Sequence, residues 1–170
     1  MLSKISMTTL VFTALMLLSG CASYRFNSNV PAELRTIAVP VFENESDFPE
    51  LDAIVTQYTL REFQREGTFK IKSTKDAAYK LFGSITHANK KSLNYNRNMT
   101  SRTSEYQHTV TIKITLIETS TGKMLINDMP IKASTTFLTQ GDMLTGMQDS
   151  YPRIAKELSQ SIVDTVLAQW

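Results

Sequence analysis

The chain has 170 residues, and 18 lysines and arginines against 16 aspartates and glutamates give it a formal net charge of +2 at pH 7. A charge this close to zero argues against the strongly basic surface that nucleic-acid binding needs. The single cysteine excludes an intramolecular disulfide. The length suits one domain with a core of its own.

The N-terminal segment has the three zones of a secretory signal peptide. Residues 1–7 carry one positive charge, Lys4, and the run that follows to Leu18 is almost wholly apolar. That run is too short to cross a bilayer, which takes about 20 apolar residues. The segment ends in Leu18-Ser-Gly-Cys21, which resembles the bacterial lipobox, where cleavage before the cysteine leaves its thiol to carry diacylglycerol. We therefore expect a signal peptide over residues 1–20 and lipid on Cys21.

The lipid expected on Cys21 is a diacylglycerol thioether together with an N-acyl chain. One acyl chain holds a protein on a membrane only marginally, whereas two or more hold it stably. A secreted protein with a buried free thiol is the alternative, but Cys21 lies beside the signal and far from any core element. The expected organisation is a signal peptide (1–20), a lipidated N-terminus with a short tether (21–34) and one α+β domain (35–170).

An alternating segment, residues 35–42, predicts the first strand of the domain. Ile37, Val39 and Val41 would share one face, because successive side chains of a strand point to opposite sides. Pro40 cannot donate a hydrogen bond to a neighbouring strand. The segment is therefore expected to lie at a sheet edge or to carry a bulge.

A helix and two strands are predicted next. The polar residues 43–50 predict a loop, and residues 51–66 carry an apolar stripe at helical spacing. Gly67 is placed for a left-handed helix C-cap. Short alternating segments predict strands over residues 69–73 and from residue 79 to residue 87.

The second half of the domain predicts a hairpin and a closing helix. Residues 88–104 are basic and rich in asparagine, and they predict a long loop or hairpin tip. Residues 105–118 alternate cleanly, which predicts a strand with one buried face and one wet face. A glycine-closed turn leads to a return strand over residues 123–137, interrupted near residues 128–130. Residues 138–150 predict a loop, and residues 152–169 predict an amphipathic helix.

The order of the predicted elements is β-α-β-β-β-β-α, which is typical of the α+β class. The expected architecture is a four-stranded, mostly antiparallel sheet, with room for one short extra strand. Two amphipathic helices would cover one face of this sheet and bury both of their apolar stripes there.

The residues that catalysis or metal binding would need are few. His87 and His108 fall on the apolar phase of strands, so a histidine in the core or at an edge is the simpler interpretation. Two histidines and one lipidated cysteine do not predict a transition-metal site. The carboxylates Glu43, Glu45 and Asp47 could support acid–base chemistry, but a solvated loop that caps a helix explains them better. We predict no catalytic residue, no metal, and no cofactor beyond the covalent lipid.

Residues 88–104, the basic segment, are a candidate contact for an anionic amphiphile. Its cations would bind phosphate, and the apolar side chains between them would accept an acyl chain. The alternative is a charged, solvated loop. Four residues carry this candidate site: Lys90, Lys91, Arg97 and Arg102.

Several motifs, read in order along the chain, resemble the LptE family of lipopolysaccharide-assembly lipoproteins. They are the lipobox, Ile37-Ala-Val-Pro-Val-Phe-Glu-Asn44, Arg61-Glu-Phe-Gln-Arg-Glu-Gly67, Leu81-Phe-Gly-Ser-Ile85, Glu105-Tyr-Gln-His-Thr-Val110, Thr121-Gly-Lys123 and the closing amphipathic helix. The segment from Ile37 to Asn44 is the most specific of them.

The resemblance implies a non-enzymatic lipoprotein on the periplasmic face of the outer membrane. Its implied partners are an LptD-like β-barrel, whose lumen it plugs and whose assembly it assists, and lipopolysaccharide. The membrane is contacted through the lipid anchor. Ala22 follows the cysteine, where an aspartate would retain the protein in the inner membrane under the enterobacterial sorting rule. A plug in a polar lumen needs a hydrophilic exterior, which the Thr, Lys and Gln face of residues 105–118 supplies.

Two other functions stay open. A lipoprotein regulator of a peptidoglycan synthase would share the lipobox, a similar first strand and a small α+β domain. Such regulators usually carry a long tether rich in proline and glutamine, whereas residues 22–34 form only a short one. A periplasmic hydrolase would need a nucleophile and a base, and the sequence offers no such pair.

Overall fold

The fold is one sheet with helices packed on one of its faces, and it includes a short strand at Glu43–Asn44, inside residues 43–50 that were predicted as a loop. The computed structural model describes residues 30–93, 104–139 and 143–170. The strands in these residues are β1 (Thr36–Ala38), β2 (Glu43–Asn44), β3 (Lys70–Ile71), β4 (Tyr79–Ser92), β5 (Ser104–Glu118) and β6 (Met124–Thr139). The helices are α1 (Leu51–Glu66), α2 (Met143–Gln148) and α3 (Tyr151–Leu167), and a 3-10 turn (Ala32–Leu34) precedes them.

Helix α1 occupies the range predicted from its apolar stripe. Gly67 ends it in the left-handed conformation, at φ 84°, and the N–H of Gly67 donates to the carbonyl of Phe63. Glu50, just before the helix, is also left-handed, and no side chain caps the first turn. A side-chain cap from the polar loop of residues 43–50 was therefore a wrong prediction.

Helix α3 contributes a large part of the buried apolar core. Its apolar stripe, formed by Ile154, Leu158, Ile162 and Val166, is fully buried. Burial of each side chain of this size contributes about 1.5–3 kcal/mol. Helix α3 packs against α1 and over β5 and β6, so the two long helices cover the same face of the sheet.

The sheet is mixed, which corrects the expected four-stranded and mostly antiparallel arrangement. Its strand order is β3-β1-β4-β5-β6, and β2 also pairs with β4. Strands β4, β5 and β6 form an antiparallel meander, whereas β1, β2 and β3 make only parallel pairs. Parallel pairing follows because α1 acts as a crossover that returns the chain to the same end of the sheet. The α+β class itself is confirmed.

Strand β1 lies inside the sheet, where the sequence allowed an edge or a bulge. It pairs with β3 on one side and with β4 on the other. Ala38 pairs with Lys80 and Glu43 pairs with Ser84, so the chain around Pro40 has one residue more than β4 between these two pairs. Pro40 therefore lies in a bulged segment, and the edge position was wrong.

Strand β4 is longer than predicted. Residues 88–92, predicted as part of a loop, continue β4 in antiparallel pairing with β5. The pairing skips Thr86, which places His87 opposite Thr111. The predicted loop 138–150 is also wrong in part, because it contains the end of β6 and helix α2.

Strand β5 shows the alternation predicted for it. Its five alternate side chains from His108 to Leu116 are buried, while their neighbours are half-buried or exposed. Gly122, at φ 70°, closes the turn to β6. The helices therefore lie on the buried face of β5, and the opposite face of the sheet meets solvent.

Candidate interaction surface

Two of the motifs that carry the family resemblance meet in space. Phe42, just after the bulge, packs on Gly83 of β4 so closely that a Cβ on Gly83 would lie 2.8 Å from Cδ1 of the ring. The backbone N–H of Phe42 donates to Oγ1 of Thr56 on α1 at 3.0 Å. The hydroxyl of Ser84 donates to the carboxylate of Glu45 at 2.7 Å. This junction fixes the first strand to both β4 and α1, so its role is structural.

The contribution of Gly83 to this junction is not evident from the sequence. A glycine on the buried phase of a strand signals the close approach of another chain segment. The sequence alone does not say which segment approaches, because Phe42 reaches this glycine only through the bulge at Pro40.

The outer face of the sheet, opposite the helices, is polar along β5 and β6. On β5 it consists of Gln107, Thr109, Thr111, Lys113 and Thr115, the alternate residues that are not fully buried. Their partners on β6 include Thr136, Ser134, Lys132 and Pro130. The hydroxyls of Thr109 and Ser134 lie 2.9 Å apart and hydrogen-bond across the strands. The wet face predicted for residues 105–118 is therefore present and extends over β6.

A cleft of about 670 Å³ lies at one end of this outer face, beside the Phe42–Gly83 junction. Glu43 and Glu45 line it together with Lys113 of β5, and two apolar side chains, Val41 and Phe82, are 68% and 41% exposed. None of the residues lining it in the described part of the chain is a histidine or a cysteine.

The two histidines have different surroundings. His108 is fully buried, and its Nδ1 lies 3.0 Å from Oγ of Ser150. The Ser150 hydroxyl donates to the carbonyl of Met147, so Nδ1–H of His108 is the donor in the first bond. Burial lowers the pKa of His108 from 6.5 to about 4, so the ring is neutral at pH 7. His108 is thus a core histidine, as expected, whereas His87 is exposed because the skipped Thr86 changes the strand phase.

The basic segment is only partly described. Lys90 and Lys91 are exposed residues at the end of β4, opposite His108 and Gln107 respectively. They therefore point to opposite faces of the sheet, and Nζ of Lys90 lies 2.9 Å from Sδ of Met143 on α2. These two lysines alone do not form a single anion clamp. Arg97 and Arg102 lie outside the described residues, as does Cys21.

Exposed leucines surround this end of the sheet. Leu93, which follows β4, is 43% exposed, and its N–H donates to the carbonyl of Glu105 at 2.9 Å. Leu138 of β6 pairs with Glu105 of β5 and is 62% exposed, and Leu144 on α2 is 54% exposed. Cations and apolar side chains thus occupy the same end of the molecule, as an anionic amphiphile requires.

The described residues contain neither a membrane-spanning helix nor a metal-binding cluster. No helix there is both long enough and apolar enough to cross a bilayer. No group of three or more His, Cys, Asp or Glu side chains there is arranged to hold a metal ion.

Several solved structures share this fold. A Caulobacter crescentus protein described as a lipoprotein has a TM-score of 0.50 at 18% identity and covers 81% of this chain and 94% of its own. A Chlamydia trachomatis hypothetical protein has a TM-score of 0.53 at 10% identity, covering 79% of this chain and 96% of its own. A Xanthomonas campestris protein has a TM-score of 0.58 at 9% identity, covering 84% and 89%. These structures define the class as small α+β proteins; at such identities the likeness concerns the fold alone.

Residues 34–169 match the family model of LptE, whose description is lipopolysaccharide-assembly. Because the match covers most of the chain, this chain belongs to the LptE family, and the resemblance drawn from the motifs is confirmed. A search of curated proteins found no significant match. The family is one of outer-membrane lipoproteins and not of enzymes.

Proposed function

We propose that the chain is held on the periplasmic face of the outer membrane by lipid on Cys21 and occupies the lumen of an LptD-like β-barrel. In this position it assists assembly of the barrel and contacts lipopolysaccharide during export. The polar outer face carries the proposal, because large outer-membrane barrels have polar interiors. The proposal includes a signal peptide over residues 1–20, a tether over 21–34 and one domain over 35–170.

The length of the sheet supports this placement. Strand β4 begins at Tyr79, which pairs with Ile37 close to the point where the chain enters the fold. It ends at Ser92, at the opposite end of the sheet. The 14 residues of β4 span roughly 40 Å at the usual rise of a strand. That exceeds the apolar band of an outer-membrane barrel, which is about 25 Å tall. A domain anchored at one end can therefore present Lys90, Lys91 and Leu93 near the far side of the membrane.

Co-purification tests the barrel contact. The chain extracted in mild detergent is expected to bring down a large outer-membrane β-barrel protein. Thr109→Glu with Thr111→Glu puts two charges in the middle of the outer face and is expected to lower that recovery, because carboxylates there would have to be desolvated. Gln57→Glu with Gln64→Glu adds the same charge on exposed positions of α1 and serves as the control. Absence of any barrel with the unmodified chain would contradict the proposal.

Lipopolysaccharide binding tests the basic segment. Reversal of the four charges at Lys90, Lys91, Arg97 and Arg102 to glutamate is expected to weaken binding at least about tenfold, since hydrogen bonds to charged groups contribute about 1.5–3 kcal/mol. The matched control reverses four other exposed charges: Lys113, Lys123, Lys132 and Lys156. Equal losses in the two variants would show that net charge, and not the basic segment, determines binding.

A further inference from the structure

A second cationic site lies where the chain enters the fold. A cleft of about 460 Å³ is lined by Ala32 and Arg35 on the entering segment and by Lys70 and Lys72 at the edge strand β3. Nε of Arg35 donates to the carbonyl of Val30 at 2.9 Å, which ties this cation to the segment that enters the fold. Strand β3 pairs with β1, which pairs with the start of β4, so the cleft lies at the end of the sheet opposite Lys90 and Lys91.

The geometry of the edge strand gathers the positive charge. Lys70 and Lys72 are two residues apart, so their side chains leave the chain on the same side, and both are exposed. Their N–H groups donate to the carbonyls of Arg35 and Ile37, each at 2.9 Å, which fixes this segment to β1. The two lysines are therefore held in place by backbone bonds that leave both side chains pointing outward.

No carboxylate lines the cleft among the residues described around it. Glu66, at the end of α1, binds the N–H and the hydroxyl of Thr68 at 2.8 and 2.6 Å. Glu33, on the 3-10 turn, is exposed and is not a lining residue. The lining groups therefore carry a net positive charge, which matches an anionic ligand.

We infer that this cleft binds the anionic headgroups of phospholipids in the leaflet that holds the lipid on Cys21. The inference rests on the anchoring part of the proposed function. Val30 follows Cys21 by nine residues (30 − 21), and nine residues span at most about 32 Å when fully extended. Ala32, which lines the cleft, comes two residues later. The anchor therefore keeps the cleft within reach of the membrane surface.

A cationic patch beside a lipid anchor has a defined effect. Lysines and arginines near an anionic surface attract it, and the attraction falls off within a Debye length. The acyl chains would hold the chain on the membrane, while Lys70 and Lys72 would orient it with the β3 end toward the headgroups. The end of β4, with Lys90 and Lys91, would then lie away from this leaflet, which is the direction that the proposed barrel contact requires.

Vesicle binding of a chain without acyl groups tests the inference. The mature chain from residue 21, carrying Cys21→Ala, is expected to sediment with vesicles of one part phosphatidylglycerol to two parts phosphatidylcholine. It is not expected to sediment with phosphatidylcholine alone. Lys70→Gln with Lys72→Gln should weaken vesicle binding about 30-fold, because each cation near an anionic surface adds its own attraction to the binding free energy. Arg153→Gln with Lys156→Gln removes two exposed cations of α3 and should leave binding unchanged.

Three results would overturn the inference. They are equal binding to the two kinds of vesicle, an equal loss in the control variant, and displacement from vesicles by millimolar inorganic phosphate, which would indicate a site for the free ion. The proposed barrel contact is judged separately. A chain that binds anionic vesicles through Lys70 and Lys72 but recovers no barrel contradicts only that contact.

Discussion

Acidification from pH 6.5 to pH 4 is expected to lower the free energy of unfolding by about 3 kcal/mol through His108 alone. The unfolded histidine takes up a proton near pH 6.5, whereas burial lowers its pKa in the fold to about 4. Between these two values the unfolded chain binds more protons, so stability falls as the pH falls. Above pH 6.5 the contribution of His108 is fully present.

The surroundings of His108 explain why its charged form is disfavoured. The ring stacks on Phe48, with centroids 5.1 Å apart, and lies 5.8 Å from the ring of Tyr151. Nε2 of His108 and the hydroxyl of Tyr151 are buried, and neither has a hydrogen-bond partner within the described part of the protein. A proton on Nε2 would therefore be placed in an apolar environment without an acceptor.

Two glutamine variants separate this effect from the titration of carboxylates. His108→Gln cannot be protonated, so its urea midpoint should change less between pH 6.5 and pH 4 than that of the unmodified chain. His87→Gln removes the exposed histidine and should keep the full pH dependence. If His108→Gln retained the same pH dependence as the unmodified chain, the assignment to His108 would be wrong.

Local patterns in the sequence predicted the elements whose partners are nearby in the chain. Helix α1 was predicted with its full range, because its apolar stripe and Gly67 are both encoded within one segment. The alternation of β5 was equally direct. In both cases one buried face determines which residues must be apolar, and that requirement is visible without knowing the rest of the fold.

The parts that could not be predicted depend on contacts between distant segments. Residues 89–92 are polar and carry no alternation, yet they form a strand because β5 supplies the partner. The single skipped residue, Thr86, moves His87 to the outer face and Lys90 to the face of α2, and composition gives no sign of such a shift. The parallel partners of β1 were missed because strand choice follows from the crossover through α1.

The chemistry of the candidate site could be predicted from the sequence, but the positions of its side chains relative to one another could not. The charge of the basic segment and the polar face of residues 105–118 can be read from the sequence. The opposite orientations of Lys90 and Lys91 require the register with β5. The cleft of Lys70 and Lys72 needs Arg35, which is far away in sequence and arrives there only through the pairing of β1 with β3.

Phe42→Ala is expected to destabilise the fold by about 3–5 kcal/mol, the usual effect of removing a buried phenylalanine side chain. Phe42 is only 3% exposed and fills the space that Gly83 leaves on the inner side of β4. Gly83→Val introduces a Cβ only 2.8 Å from Cδ1 of that ring. We expect this overpacked variant to lose about 1–3 kcal/mol.

The two changes should be strongly coupled. In Phe42→Ala the ring that the introduced valine would meet is gone, so the double variant should be more stable than the sum of the single losses predicts. Val41→Ala alters the neighbouring residue, which is 68% exposed, and should change stability by no more than about 0.5 kcal/mol. Urea unfolding followed by circular dichroism gives all four values. Strict additivity would mean that Phe42 and Gly83 act independently. Coupling would explain the spacing of the Val-Pro-Val-Phe segment, because the bulged segment around Pro40 brings Phe42 onto Gly83.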